Sequence, residues 1–195
     1  MVLRWARVLL ALLGFSALVT EVATLVERGR FVPRNFFSYF TVEGNLLAVV
    51  VLLASAVAVR RSRRLDLFRG ATTVYLLTIL LVFAGLLAGL GGDLTAVPWD
   101  NTVLHYLMPV AVALDWVVEP PRWRLPWRST LVWLTLPAAY VVYSLVRGAI
   151  VGWYPYPFLD PAHGGYGRVA LVSVAIAALV VALGWVVSRV PLRRH

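Results

Sequence analysis

Six apolar runs, separated by short polar or basic turns, decide what this chain can fold into. They cover residues 5–26, 36–59, 70–90, 101–118, 129–150 and 167–187. A helix rises ~1.5 Å per residue, so about 20 residues cross the ~30 Å hydrocarbon core of a bilayer. Every run is near that length, the fourth being the shortest. An isolated span must be helical, because lipid offers no partner to an unpaired backbone group. The expected fold is therefore all-α: a six-span transmembrane bundle in one domain, residues 1–195. Composition agrees, since 61% of the 195 residues are hydrophobic, only 14% are charged, and the mean hydropathy is +0.83. Soluble domains carry about 25% charged residues. Arg4 and Arg7 before the first run resemble the basic region of a secretory signal. That run is long and more spans follow it, so it reads as a retained first span.

Arginine placement sets the expected orientation. All 18 basic residues are arginine, and the net charge is +9. Thirteen fall at the two termini and in the second and fourth loops, and five on the other side. The third loop, residues 91–100, has two aspartates and no arginine. The positive-inside rule then places both termini in the cytoplasm, and the alternation supports six spans. The exclusive use of arginine points to a GC-rich, bacterial source and so to the inner (plasma) membrane. The charge suits anionic headgroups, and its scatter over short turns argues against nucleic-acid binding. Gly91-Gly92-Asp93 reads as a turn closing the third span. The aromatic, proline-rich fifth loop, Trp153-Tyr154-Pro155-Tyr156-Pro157-Phe158-Leu159-Asp160-Pro161, reads as a lid or interfacial belt. No internal repeat is evident, which disfavours an inverted-repeat transporter.

Polar side chains inside spans are costly and face the bundle interior, so each is a candidate site. These are Glu21, Thr41, Glu43, Asn45, Asn101, His105, Asp115, Tyr140, Tyr143 and Arg147. With the second span entering near residue 36 and the fourth near 101, Thr41 and His105 lie at a similar depth. Thr41 and Asn45 share a helix face, as do Asn101 and His105, and Tyr140, Tyr143 and Arg147 form one stripe. All but Asp115 belong to the non-cytoplasmic half. Plainer roles compete with a shared pocket. A membrane threonine often bonds its own i−4 carbonyl, Asn45 and Asn101 suit helix-to-helix bonding, Glu43 and Arg147 suit an ion pair, and Asp115 suits an anchor beside Trp116 and Arg122. The chain has no cysteine, which removes thiolate chemistry and disulfides. His105, His163, Asp160 and Glu43 are the one imaginable ligand set, but no pair has ligand spacing. No metal and no cofactor are expected.

Several segments carry a resemblance: Phe37-Ser38-Tyr39-Phe40-Thr41-Val42-Glu43-Gly44-Asn45-Leu46-Leu47; Asn101-Thr102-Val103-Leu104-His105-Tyr106-Leu107-Met108-Pro109; Asp115-Trp116; and Gly152-Trp153-Tyr154-Pro155-Tyr156-Pro157-Phe158-Leu159-Asp160. They resemble the bacterial Pr6Pr membrane proteins over nearly the whole chain. That family is similar to the eukaryotic androgen-induced-1 and androgen-dependent TFPI-regulating proteins, which are multi-pass hydrolases of fatty acid esters of hydroxy fatty acids. The resemblance implies a threonine nucleophile at Thr41, within Tyr39-Phe40-Thr41, and a catalytic histidine at His105, after Asn101 and before Pro109. The eukaryotic segment is richer in histidine here, and its spacing to the proline differs by one.

The implied chemistry is sound. A threonine hydroxyl becomes nucleophilic when a base takes its proton, and imidazole suits that task. Glu43 or Glu21 would orient the imidazole. Asn45, Asn101 or Tyr143 would donate to an oxyanion, and Arg147 would hold a carboxylate. The expected partner is a membrane lipid or lipid-like substrate. Two other readings stand beside the lipid-ester hydrolase: a non-catalytic binder or carrier of an amphipathic lipid or small molecule, and a structural partner of another membrane protein.

Overall fold

The computed structural model describes residues 1–88 and 97–190. The turn expected at Gly91-Gly92-Asp93, the last residues of the third apolar run and the terminal Arg193 and Arg194 lie outside the described residues. The chain is 82% helical, with no strand among the described residues. Six helices are long and apolar enough to cross a membrane: α1 (Val2–Glu27), α2 (Phe40–Val57), α3 (Arg63–Leu87), α4 (Pro98–Val118), α5 (Leu131–Val151) and α6 (Gly165–Ser188). Their buried apolar residues form one cluster to which all six contribute, among them Ala11, Val49, Leu76, Leu104, Trp133 and Val180. The central element is α3, packed against α2, α4 and α6, while α1 lies along α2 and the start of α4. The outer faces are apolar as well: Ile150 is 77% and Leu171 71% exposed. Such surface on a bundle this hydrophobic requires a lipid solvent, and the fold is that of a multi-pass membrane protein.

Two boundaries depart from the sequence reading. The third helix starts at Arg63 rather than near residue 70, because Ser62 caps it by accepting the Leu65 N–H at 3.1 Å. The second run does not enter as one helix at residue 36. A short turn, Pro33–Phe36, is followed by a break at residues 37–39, and α2 begins at Phe40. Thr41 therefore sits in the first turn of α2, not five residues inside it.

Prolines reshape α4 and α5, and neighbouring side chains repair both. Pro109 has no N–H. Just before it, Val103–Leu107 widens into a π turn, and the Met108 N–H bonds back to the Val103 carbonyl. The next donor in that ladder would be residue 109, so the Leu104 carbonyl is left over. Asn45 Nδ2 donates to it at 3.2 Å. In α5, Pro137 cannot serve the Trp133 carbonyl, and the helix runs as a 3₁₀ turn over Leu131–Leu134. Tyr75 donates its hydroxyl to that carbonyl at 2.8 Å. Both repairs meet the rule that buried backbone groups find partners.

At the end of the bundle away from Thr41, charges are buried. Asp115 accepts from Arg7 and from Arg69, each at 2.7 Å, Arg61 pairs with Asp66 at 3.1 Å, and Glu119 is bonded by both Arg7 and Arg61. Asp115 is thus an anchor, but its partners are Arg7 and Arg69 instead of Arg122. Arg122 instead offers its backbone N–H to Asp66 at 2.8 Å.

Candidate active site

Thr41 owes its availability to the break before it. Thr72, Thr73 and Thr78, deep in α3, each donate their hydroxyl to a carbonyl four residues back. Thr41 makes no such bond. Its Oγ1 lies 3.3 Å from Nε2 of His105 on α4 and 3.3 Å from the Tyr156 hydroxyl in the fifth loop. Thr41 and His105 are 8% and 5% exposed. Nδ1 of His105 faces the Asn101 carbonyl at 3.2 Å, and the ring stacks on Phe83 with centroids 3.9 Å apart.

These contacts fix the direction of every proton. A carbonyl only accepts, so Nδ1 carries the hydrogen and Nε2 the lone pair. The Thr41 hydroxyl must then donate to Nε2, which leaves its own oxygen to accept. Tyr156 must donate to Thr41 Oγ1, and the Thr41 N–H in turn donates to the Tyr156 oxygen at 3.3 Å. The relay runs from Tyr156 to Thr41 to His105 to the Asn101 carbonyl. Its distances exceed the ~2.8 Å of a tight hydrogen bond. Burial pushes the Tyr156 hydroxyl up to about 12, so it stays a neutral donor at physiological pH.

Two cavities meet at this pair. One, of about 240 Å³, is the more polar of the two: Glu21, Arg28, Arg30, Asn35 and Tyr39 line it together with apolar Leu25, Val32 and Val42. The other, of about 70 Å³, lies between α3, α5 and α6 and is lined by side chains such as Ile79, Val82, Val141, Phe158 and Ile176. Thr41, Leu87, His105 and Tyr156 line both. The hydroxyl and imidazole thus stand at a neck between a polar chamber and an apolar slot.

The other sequence candidates divide sharply. Glu21 lines the polar chamber and Tyr140 the apolar slot. The stripe Tyr140, Tyr143 and Arg147 is real, and its polar ends grip the segment before Thr41. Tyr140 donates to the Ser38 carbonyl at 2.9 Å, the Tyr143 hydroxyl meets Ser38 Oγ at 2.8 Å, and Arg147 donates to Asn35 Oδ1 at 2.6 Å and stacks 4.7 Å over Trp153. Arg147 therefore forms no pair with Glu43, which has no ion pair among the described residues and lines neither cavity. Tyr143 is likewise absent from both linings. Asn45 is no oxyanion donor: its amide hydrogens go to the Thr41 carbonyl at 2.9 Å and to Leu104. Asn101 acts through its backbone carbonyl, while its side-chain oxygen is buried without a partner.

Among the described residues no three histidine or carboxylate side chains gather, and of the imagined set His105, His163, Asp160 and Glu43 only His163 and Asp160 meet, in a local contact at 3.4 Å with His163 59% exposed. Residue-by-residue reading missed Tyr156 and the chamber's own cations, Arg28 and Arg30. The fifth loop reaches the site because Gly152, at φ 68°, ends α5. Tyr154 then lies against Gly148, where a Cβ would overlap its ring, and Tyr156 turns inward, 8% exposed. The expected lid thus supplies a site residue.

Fold and site together define a class: a helical multi-pass membrane protein with a buried hydroxyl–imidazole pair between two unlike cavities. The chain matches no family model, no curated protein and no solved structure.

Proposed function

We propose that the chain is a membrane-embedded lipid-ester hydrolase with Thr41 as nucleophile and His105 as general base. The observation that carries this reading is the oriented relay Tyr156–Thr41–His105–Asn101 carbonyl at the neck between a polar and an apolar cavity. The resemblance to the Pr6Pr proteins, and through them to hydrolases of fatty acid esters of hydroxy fatty acids, supports the same pair. Such a substrate suits the two cavities: the acyl carbons next to the ester in the small apolar slot, the carboxylate end of the hydroxy fatty acid toward Arg28 and Arg30 in the chamber, the ester at the neck. Arg28 and Arg30 take the anion-facing position foreseen for Arg147. The host is a bacterial inner membrane, with both termini in the cytoplasm and the Thr41 end of the bundle on the outer side, as the arginine count directs.

In the first half-reaction His105 Nε2 removes the Thr41 hydroxyl proton as Oγ1 bonds to the ester carbonyl carbon. The carbonyl π electrons move to oxygen, which becomes an oxyanion. Tyr156 and the N-terminal end of α2 stabilise it. The carbonyl re-forms, the bond to the alcohol oxygen breaks, and His105 returns its proton to that leaving oxygen. Water then attacks the acyl-threonine with His105 again as base, releasing the fatty acid and restoring Thr41. The chemistry uses no cofactor.

A fluorophosphonate probe on purified protein tests the reading. Thr41 is expected to be labelled, and branched fatty esters to be hydrolysed, with both lost in Thr41→Ala. Equal behaviour of wild type and Thr41→Ala would exclude the enzyme. A ligand retained in native mass spectrometry without turnover would instead identify a lipid binder.

A further inference from the structure

The end of the bundle opposite Thr41 holds a second polar cavity, of about 240 Å³, that ester hydrolysis does not use. Four arginines from three parts of the chain line it: Arg4 and Arg7 from the first turns of α1, Arg61 from the segment before α3, and Arg122 from the segment after α4. Glu119 is the one carboxylate among its lining residues, and it is already bonded by Arg7 and Arg61. Those two arginines form the floor. Arg7 is 3% exposed and Arg61 has a side chain 6% exposed, each tied to a further acid, Asp115 and Asp66 respectively. Arg4 and Arg122 stand at the rim and form no ion pair among the described residues. Burial above all, and then the nearby Arg69, draw the Arg61 guanidinium below its usual range despite Glu119.

Guanidinium forks converging from several directions match a tetrahedral oxyanion, each fork offering paired donors to its oxygens. Here two forks are buried and fixed, while two are exposed and form no ion pair among the described residues. The cavity also adjoins apolar surface, with Trp5, Val57 and Val59 exposed beside it. We propose that this cavity binds a phosphate group, presented by a phospholipid headgroup at the membrane surface or by a free phosphate. Arg4 and Arg122 close over the phosphate and Arg7 and Arg61 receive it from below. The site stands apart from the Thr41–His105 pair and does not depend on what that pair does.

The test uses the full chain in neutral detergent. Retention of phosphatidic acid, with phosphatidylcholine as comparison, is read by native mass spectrometry, and inorganic phosphate is added separately as a competitor. Wild type is expected to retain phosphatidic acid in preference to phosphatidylcholine. Arg4→Gln/Arg122→Gln, which breaks no ion pair, should weaken retention by about tenfold or more. Arg63→Gln/Arg64→Gln removes equal charge from the same end and should leave retention intact. Displacement by inorganic phosphate would assign the site to phosphate itself, and indifference to it would assign the site to the lipid headgroup. No preference for phosphatidic acid, undiminished binding by the rim variant, or an equal loss in the Arg63/Arg64 control would each overturn the proposal.

Discussion

The Thr41 hydroxyl is available by position because no helical carbonyl lies one turn behind it. The threonines of α3 show what it escapes, since their hydroxyls are spent on their own backbone. Freed from that bond, the Thr41 oxygen is held between an acceptor, His105, and a donor, Tyr156. Tyr156→Phe tests the donor half. It keeps the ring that packs on Phe158 and removes one hydroxyl. Ester turnover should fall about 10²-fold in kcat with KM little changed, the signature of a group needed mainly in the transition state. Loss of binding without loss of kcat would make Tyr156 a packing residue. Thr41 and His105 were legible in the sequence because motif and depth coincided there. Tyr156 was not, because one tyrosine in an aromatic loop looks like any other interfacial ring. Glu43–Arg147 failed for a local reason: a chain break at residues 37–39 put Asn35 and Ser38 in front of α5, and its polar stripe bonded to them first.

The helices themselves were legible to within a few residues, the start of α3 at Arg63 apart, because six runs of lipid-compatible length leave little freedom. Their irregularities were not. Pro109 and Pro137 mark where ladders must fail, but not which neighbour mends them. The two repairs place the site: Asn45 ties the start of α2 to the widened turn of α4, which carries His105, while Tyr75 ties α3 to α5. Tyr75→Phe leaves the Trp133 carbonyl unpaired and should cost about 1–3 kcal/mol of stability in detergent unfolding. In a Pro137→Ala background an N–H becomes available to the same carbonyl, so the same substitution should cost much less. Equal costs in the two backgrounds would show that the Tyr75 hydroxyl does not stand in for the missing helical donor.

Across the whole molecule the two ends carry unlike chemistry. One is a neck between cavities where a hydroxyl meets an imidazole, the other an ionic lattice in which arginines counted for topology are locked to buried acids. Of the arginines on the basic side, Arg7, Arg61 and Arg69 thus carry a structural role that counting did not reveal. Glu119 reports on that lattice. Burial opposes its charge, but Arg7, Arg61 and Arg69 outweigh it and hold the carboxyl below its ordinary 4.5. A depressed carboxylate contributes stability fully above its unfolded value and loses it as pH falls through the folded one. Wild type should therefore be more stable than Glu119→Gln near neutral pH, with the gap in melting temperature closing as pH drops below about 4.5. A gap that persists in acid would show the lattice does not depend on that charge. Orientation is open to direct measurement, because the chain has no cysteine and a single introduced thiol has no competitor. Ala162→Cys lies in the loop beside the Thr41 end and Arg63→Cys at the lattice end, both exposed. If thirteen arginines hold the lattice end in the cytoplasm, a membrane-impermeant maleimide added to intact cells should label residue 162 and spare residue 63 until the membrane is opened. The opposite pattern would invert the proposed topology and place the Thr41–His105 neck toward the cytoplasm. The geometry of Thr41, His105 and Tyr156 would be untouched, since it depends on how helices pack and not on which side faces in.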